Sequence, residues 1–370
     1  MAGIESSLDE KMHALALKLI PGVGDIIAKS LVLFFGSAKE VFKKSAAQLV
    51  KVPGIGPQTA ADIIKKKDLS KAEREFEFIQ KNNIHVFYFL DDNYPSRLKA
   101  IPDSPIIFFG DGNLNLNPAR ILAIVGTRKC SEYGKELCEK LVDAVKDQSC
   151  LIISGLALGI DTAAHKYAVD LNVPTIGVLG SGLKKLYPYQ NKNLAEQMKQ
   201  NGGLLTEFIS NTPPDAENFP KRNRIVAGMC DALVVVETAI KGGAKITAEI
   251  ANSYNKDVMA FPGRPNDEYS YGCNQLIREN KAILINSPDD LLKDLGWKSK
   301  SSKPIQHSLF TELTEEEGRI IEVLRQKKSV AIDDLAFALK MDQSYLSLKL
   351  LELEFSGFLR ALPGKCYELR

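Results

Sequence analysis

Between residues 84 and 296, short apolar runs alternate with segments of helical periodicity. The runs are 121–125, 151–153, 175–179, 204–205, 233–236, 258–261 and 283–285. Most are continuous rather than alternating in polarity, as expected of strands covered on both faces. After the first run, Leu137, Leu141 and Val145 recur on one helical face. This alternation restricts the segment to an α/β architecture, a Rossmann-like doubly wound parallel sheet.

The flanks have a different texture. Residues 1–82 read as short helices joined by Gly-rich turns and contain an internal repeat. Pro21-Gly22-Val23-Gly24 and Pro53-Gly54-Ile55-Gly56 each follow an apolar helix end and precede a helix. This is a helix-hairpin-helix pattern, in which the glycines permit the tight turn and the next helix offers free N–H groups to a phosphate. Asp25 directly after the first turn would repel a phosphate, so the second copy is the better candidate for nucleic acid. Residues 298–311 are polar, and Lys298, Lys300 and Lys303 read as a solvated linker. Residues 312–370 predict three helices (315–326, 332–339, 343–356) with Thr314 as N-cap, then a hairpin turning at Pro363-Gly364. That order suggests a winged helix. Its third helix carries Lys349 against Glu352 and Glu354 and is otherwise largely apolar, which is poor for reading a DNA groove. The expected division is therefore 1–82, 83–297, a linker at 298–311, and 312–370.

Ligands of an open parallel sheet bind outside the carboxyl ends of its strands. The segments expected there are rich in small and basic residues: Gly126-Thr127-Arg128 through Ser131, 154–161, Gly180-Ser181-Gly182 with Lys184, Phe219-Pro220-Lys221-Arg222-Asn223-Arg224, Lys241 through Lys245, and Pro262-Gly263-Arg264. Small residues admit a ligand to the backbone, and helix starts supply N–H donors for phosphate. No G-x-G-x-x-G follows the first strand and no G-x-x-x-x-G-K-[ST] occurs, so no dinucleotide cofactor or P-loop NTPase is expected. Tyr187, Tyr189, Phe219 and Phe261 stand beside these cations. A basic track interleaved with aromatics is how single strands are held. Phe219, in a polar loop, is read as a stacking platform, and Phe261, ending a strand, as core. The candidate nucleic-acid-binding residues are Gly126, Thr127, Arg128, Ser131, Lys184, Phe219, Lys221, Arg222, Asn223, Arg224 and Lys245. Of Arg222 and Arg224, one is expected to brace against Glu207 or Glu237 and the other to face ligand. Asp161 reads as the N-cap of a helix over 162–170, and His165 as bonded within the fold.

Five motifs together resemble the DprA/Smf family: IVGTRKCSEYG (124–134), SGLALGIDTAAH (154–165), TIGVLGSGLKKLYP (175–188), FPKRNRIVAG (219–228), and TAEIA (247–251) with FPGRPNDEYSYGCNQLI (261–277). The resemblance implies a recombination mediator that binds single-stranded DNA, loads RecA during natural transformation and dimerises through the Rossmann-like domain. It implies DNA contacts from Arg128, Phe219, Arg222, Asn223 and Arg224. The chain departs from the family pattern at 241–245, where S-G-S is usual, and at 278–282, where a Gly-Ala pair is usual.

The rival reading is a Rossmann-like hydrolase of the glycosidic bond of nucleoside monophosphates, with Glu249 as acid and Arg222 or Arg224 on the substrate. Lys245 and Ile246 replace the Gly and Thr of that enzyme's motif. Non-enzymatic binding is therefore expected. The six cysteines include no C-x-x-C pair and the four histidines are scattered, so free thiols in a reducing cytosol and no metal site are expected. The polar, acidic start and the lack of a long apolar run predict a cytoplasmic chain without a membrane span. The net charge of +2 is too small to argue for a polyanion, so the inference rests on local clusters.

Overall fold

A computed structural model describes residues 6–66, 68–297, 314–326, 329–355, 358–362 and 365–369. The expected linker at 298–311 and the Pro363-Gly364 turn lie outside them. The chain divides into two compact units, Met1–Lys300 and Ser301–Arg370.

The first unit is built on a nine-stranded sheet. Its strands are β1 (His85–Tyr88), β2 (Ile107–Gly112), β3 (Arg120–Val125), β4 (Cys150–Ser154), β5 (Thr175–Val178), β6 (Gly202–Thr206), β7 (Ala232–Val235), β8 (Asp257–Ala260) and β9 (Ile283–Leu284), in the order β1-β2-β6-β5-β4-β3-β7-β8-β9. The seven from β3 onward are the apolar runs of the sequence, and they pair in parallel. The sheet is not wholly parallel: β1 and β2 pair antiparallel, and β2 joins β6 antiparallel.

The continuity of the apolar runs follows from the two faces. Ile121, Ala123 and Val125 pack on one side against helices Asn218–Met229 and Gly243–Ser253. Leu122 and Ile124 pack on the other against Glu132–Val145 and Ile160–Asp170. Period-two side chains that all find a helix must all be apolar.

The N-terminal helices pack at the β1 end. Leu15, Leu17, Leu31, Val41 and Ile63 share one core with Tyr88, Ile107 and Phe109 of the hairpin. Both Pro-Gly turns form as expected, with Gly22 and Gly54 at φ of +84° and +83° and Gly24 and Gly56 as N-caps. Only glycine adopts such φ values without strain.

The second unit has helices Glu315–Gln326, Ile332–Leu339 and Gln343–Phe355. Its three-stranded antiparallel sheet comprises β10 (Val330–Ala331), β11 (Leu359–Leu362) and β12 (Cys366–Leu369). Thr314 and Glu317 cap the first helix reciprocally. On the third helix Leu346, Leu350 and Leu353 are buried, whereas Leu348 and Leu351 are exposed. Among the described residues no helix is long and apolar enough to cross a membrane.

Candidate nucleic-acid interface

Strand order reverses at β3, which has β4 on one side and β7 on the other. The chain leaves β3 and β7 toward opposite faces, and a crevice opens between their carboxyl ends, as open α/β sheets require. It encloses about 350 Å³. The turn 126–129 and Gly155, Ala157 and Asp161 form one wall. Phe219, Arg222 and Asn223 form the second, and Thr238, Ala239 and Gly242 through Ala244 the third, with Thr247 and Tyr269.

Gly126 and Thr127 are pinned tightly. The Thr127 N–H donates to Glu237 O (2.7 Å) and Ile160 N–H to Thr127 O (3.2 Å). A Cβ on Gly126 would strike the Ile160 side chain, so the β3 turn can lie flat on the next helix start only as glycine. This geometry leaves Arg128 and Lys129 exposed at the mouth.

Phe219 lies in the first turn of helix Asn218–Met229 rather than in a loop. Its half-buried ring rests over Gly180, where a Cβ would come within 2.9 Å of it. The Arg128 guanidinium carbon is 5.4 Å from the ring centroid, and the Tyr187 ring is 6.0 Å away and tilted by 53°. Cation and aromatics thus form one contiguous surface at the crevice mouth.

Arg222 lines the crevice from beneath and is only 5% exposed. Its guanidinium donates to Gly155 O and Val178 O, at the ends of β4 and β5, and to Asn223 Oδ1 (3.0 Å). Burial pulls its pKa down to about 10, with Asp161 opposing this and Arg128 adding to it. Asp161 is not a helix N-cap. The helix begins at Ile160, and the Asp161 carboxylate accepts from Gly155 N–H (3.1 Å) and Ala157 N–H (3.3 Å). Burial raises its pKa despite Arg222. A cation held by carbonyls at the base, with Arg128 and Lys129 above, makes the crevice attractive to an anion. The helix Gly243–Ser253 starts at its wall with no side-chain cap, leaving N–H groups for a phosphate.

Other candidates lie outside the crevice. Ser131 caps the helix Glu132–Val145 through Gly134 N–H (3.0 Å), and its own Oγ–H and N–H donate to Glu237. Lys184 lies over the Phe78 ring, 4.2 Å from its centroid. Lys245 donates to Gln275 Oε1 (3.0 Å). Lys221 is exposed on the Phe219 helix.

Arg224 is engaged elsewhere, by Glu207 (2.6 Å), Asp25 (3.0 Å) and Asp103 O. It is thus the brace of the arginine pair. Burial alone would lower its pKa, but Glu207 and Asp25 raise it. Asp25, expected only to repel phosphate, is held ionised against burial by Lys18 and Arg224. Through Arg224 and the Ile106 N–H (2.9 Å) it ties the first Pro-Gly hairpin to the sheet, while the glycines of both hairpins remain exposed.

Phe261 is core at 2% exposure, and His165 is buried with Nδ1 2.7 Å from Thr175 Oγ1. Glu249 pairs with Lys281 (3.3 Å) and does not line the crevice. Among the described residues no three His, Cys, Asp or Glu converge as a metal site would require. Sequence reasoning passed over Thr238 and Tyr269. Thr238 N–H donates to Tyr269 O (2.6 Å) and Gly272 N–H to Thr238 O (2.8 Å). The signal was Gly272, whose Cβ would collide with Thr238.

The family described as DNA recombination-mediator protein A matches residues 85–296. A DprA winged helix domain matches 309–365, and a SAM-like helix-hairpin-helix tandem matches 14–66. Protein Smf of Synechocystis is 35% identical over 291 residues, covering 78% of this chain and 73% of that one. The X-ray structure of DprA from Streptococcus pneumoniae shares 32% identity with a TM-score of 0.67, over 79% of this chain and 99% of that one. DNA processing protein A from Helicobacter pylori, whose structure concerns its single-stranded DNA binding mode, shares 26% identity with a TM-score of 0.52, over 57% and 95%. The chain belongs to the DNA recombination-mediator protein A (DprA/Smf) family.

Proposed function

We propose that this protein binds single-stranded DNA at the crevice mouth and presents it to a RecA-type recombinase, acting as a binder rather than a catalyst. The observation that carries the reading is the contiguous Arg128–Phe219–Tyr187 surface above a crevice with a buried arginine. Aromatic faces stack bases of any sequence, and cations follow the backbone. A duplex has its bases already stacked and offers them no such partner. Glu249, the acid a glycosidic hydrolase would need, lies away from the crevice, which favours binding.

Within this reading, residues 83–297 hold the strand. A homodimer forms through the same region, where the edge strand β9 exposes Ile283 and Leu284. The winged helix of residues 312–370 serves contacts other than the main DNA site. Gel shifts with single- and double-stranded oligonucleotides of equal length test the proposal. Single strand should bind more tightly at moderate salt, and equal affinity for duplex would overturn it. Light scattering tests the dimer, and a strict monomer at high micromolar concentration counts against it.

A further inference from the structure

The N-terminal helices meet the sheet through buried charge as well as apolar packing. Lys18 ends the helix Leu8–Lys18 and Asp25 begins the helix Asp25–Phe35, so the two flank the first Pro-Gly turn. The Lys18 ammonium lies 3.1 Å from Asp25 and 2.9 Å from Glu207. The Arg224 guanidinium closes the ring, 3.0 Å from Asp25 and 2.6 Å from Glu207. All four side chains are between 5% and 15% exposed. A second tie stands nearby: Glu75, on the helix Ser70–Lys81, accepts from both the N–H and the hydroxyl of Ser210 at 2.8 Å.

The anchored residues share a location. Glu207 and Ser210 open the connection from β6 to the helix Asn218–Met229, and Arg224 lies on that helix five residues beyond Phe219. The N-terminal helices therefore hold, at three points, the segment that delivers the Phe219 ring to its place beside Arg128 and Tyr187. Attachment alone does not require these charges, because the apolar core shared with Tyr88, Ile107 and Phe109 already joins the helices to the sheet. Buried ion pairs add little to stability over apolar replacements, but they restrict geometry because each partner must be met in a narrow range of distance and direction.

We infer that Lys18, Asp25 and Glu75 are positioning residues. Through them the N-terminal helices act on the DNA site indirectly, by fixing the pitch of the helix Asn218–Met229 and so the angle of the Phe219 ring. The first Pro-Gly hairpin is thereby turned from a phosphate binder into a clamp. This inference rests on the reading of Phe219 as a base-stacking platform.

A double-mutant cycle on the full chain tests it, with anisotropy of a labelled oligo-dT as readout and circular dichroism to confirm folding. Phe219→Ala should weaken binding on the order of tenfold in the otherwise unchanged protein. In an Asp25→Asn background, where the ring is already misplaced, the same substitution should cost no more than about twofold. Asp25→Asn alone should weaken binding severalfold at an unchanged salt slope, because no phosphate contact is lost. If Phe219→Ala costs the same factor in both backgrounds, the clamp does not position the ring and the inference fails. If Phe219→Ala has no effect in either, the platform reading fails and takes the inference with it. Should Asp25→Asn not fold, Glu75→Ala provides the second background, with the same outcomes decisive.

Discussion

Replacing Phe219 by alanine separates stacking from charge. The ring is half-buried, lies over Gly180 and is flanked by Arg128 and Tyr187. Its removal deletes the aromatic face between Arg128 and Tyr187 and leaves every phosphate-directed cation in place. Base–aromatic stacking is worth about 1–3 kcal/mol per base, which converts to a loss of roughly 5- to 150-fold in Kd. The fold should lose less than about 1.5 kcal/mol, since a half-buried ring forfeits only part of a full burial term. Anisotropy titrations of oligo-dT across a salt series are the assay. Phe219→Ala should shift the line of log K against log salt downward without tilting it. Arg128→Ala should tilt it by about 0.7, one released counterion on a single strand. Equal changes of slope in the two folded variants would refute the assignment of stacking to Phe219 and charge to Arg128. So would an unchanged Kd for Phe219→Ala.

His165 should make the fold sensitive to acid. Burial, aided by Arg222, lowers its pKa to about 3 from an ordinary 6.5. The unfolded chain therefore binds a proton below pH 6.5 that the folded chain refuses. The stabilisation is complete above pH 6.5 and is lost as pH falls toward 3, at about 1.4 kcal/mol per pH unit. Urea melts should show a shallower acid limb for His165→Gln than for the parent, and parallel limbs would contradict the buried neutral imidazole. Deleting residues 304–370 should leave oligo-dT affinity within about threefold, under roughly 0.7 kcal/mol. A tenfold loss in a truncated protein that keeps its circular dichroism spectrum would bring the winged helix into the DNA site.

Most of the parallel strands were legible because they are uninterrupted apolar runs between helical stretches, the pattern two-sided burial favours, although Ile283 and Leu284 of β9 are exposed. The hairpin of β1 and β2 was less so: His85–Tyr88 and Ile107–Gly112 are separated by a turn-rich stretch, and the pairing of β2 with β6 crosses about a hundred residues. Residue type and position near the strand ends singled out Arg128 and Phe219, and both line the crevice. What sequence could not supply was the account of each charge. Arg222 and Arg224 are two residues apart on one helix, yet the first serves carbonyls at the ends of β4 and β5 and the second serves carboxylates at Asp25 and Glu207. A helix turns by about 200° over two residues, so neighbours in sequence face opposite surroundings. Asp161 misled for the same reason, its partners being the amides of its own loop rather than of the helix it enters.

The charged clamp also imposes an order on how the chain is made. Asp25 and Arg224 are 199 residues apart, Lys18 and Glu207 are 189 apart, and Glu75 and Ser210 are 135 apart. At roughly 5–20 residues per second, a ribosome takes on the order of 10–40 s to supply the later partner. During that interval the nascent N-terminal helices carry their ammonium and carboxylates in water and present the apolar face later covered by β2. They cannot be locked in their final orientation until β6 and the helix after it have emerged. The N-terminal helices are therefore fixed only once the segment through Arg224 has emerged, and a chaperone that shields residues 8–81 would act on this protein before its sheet exists.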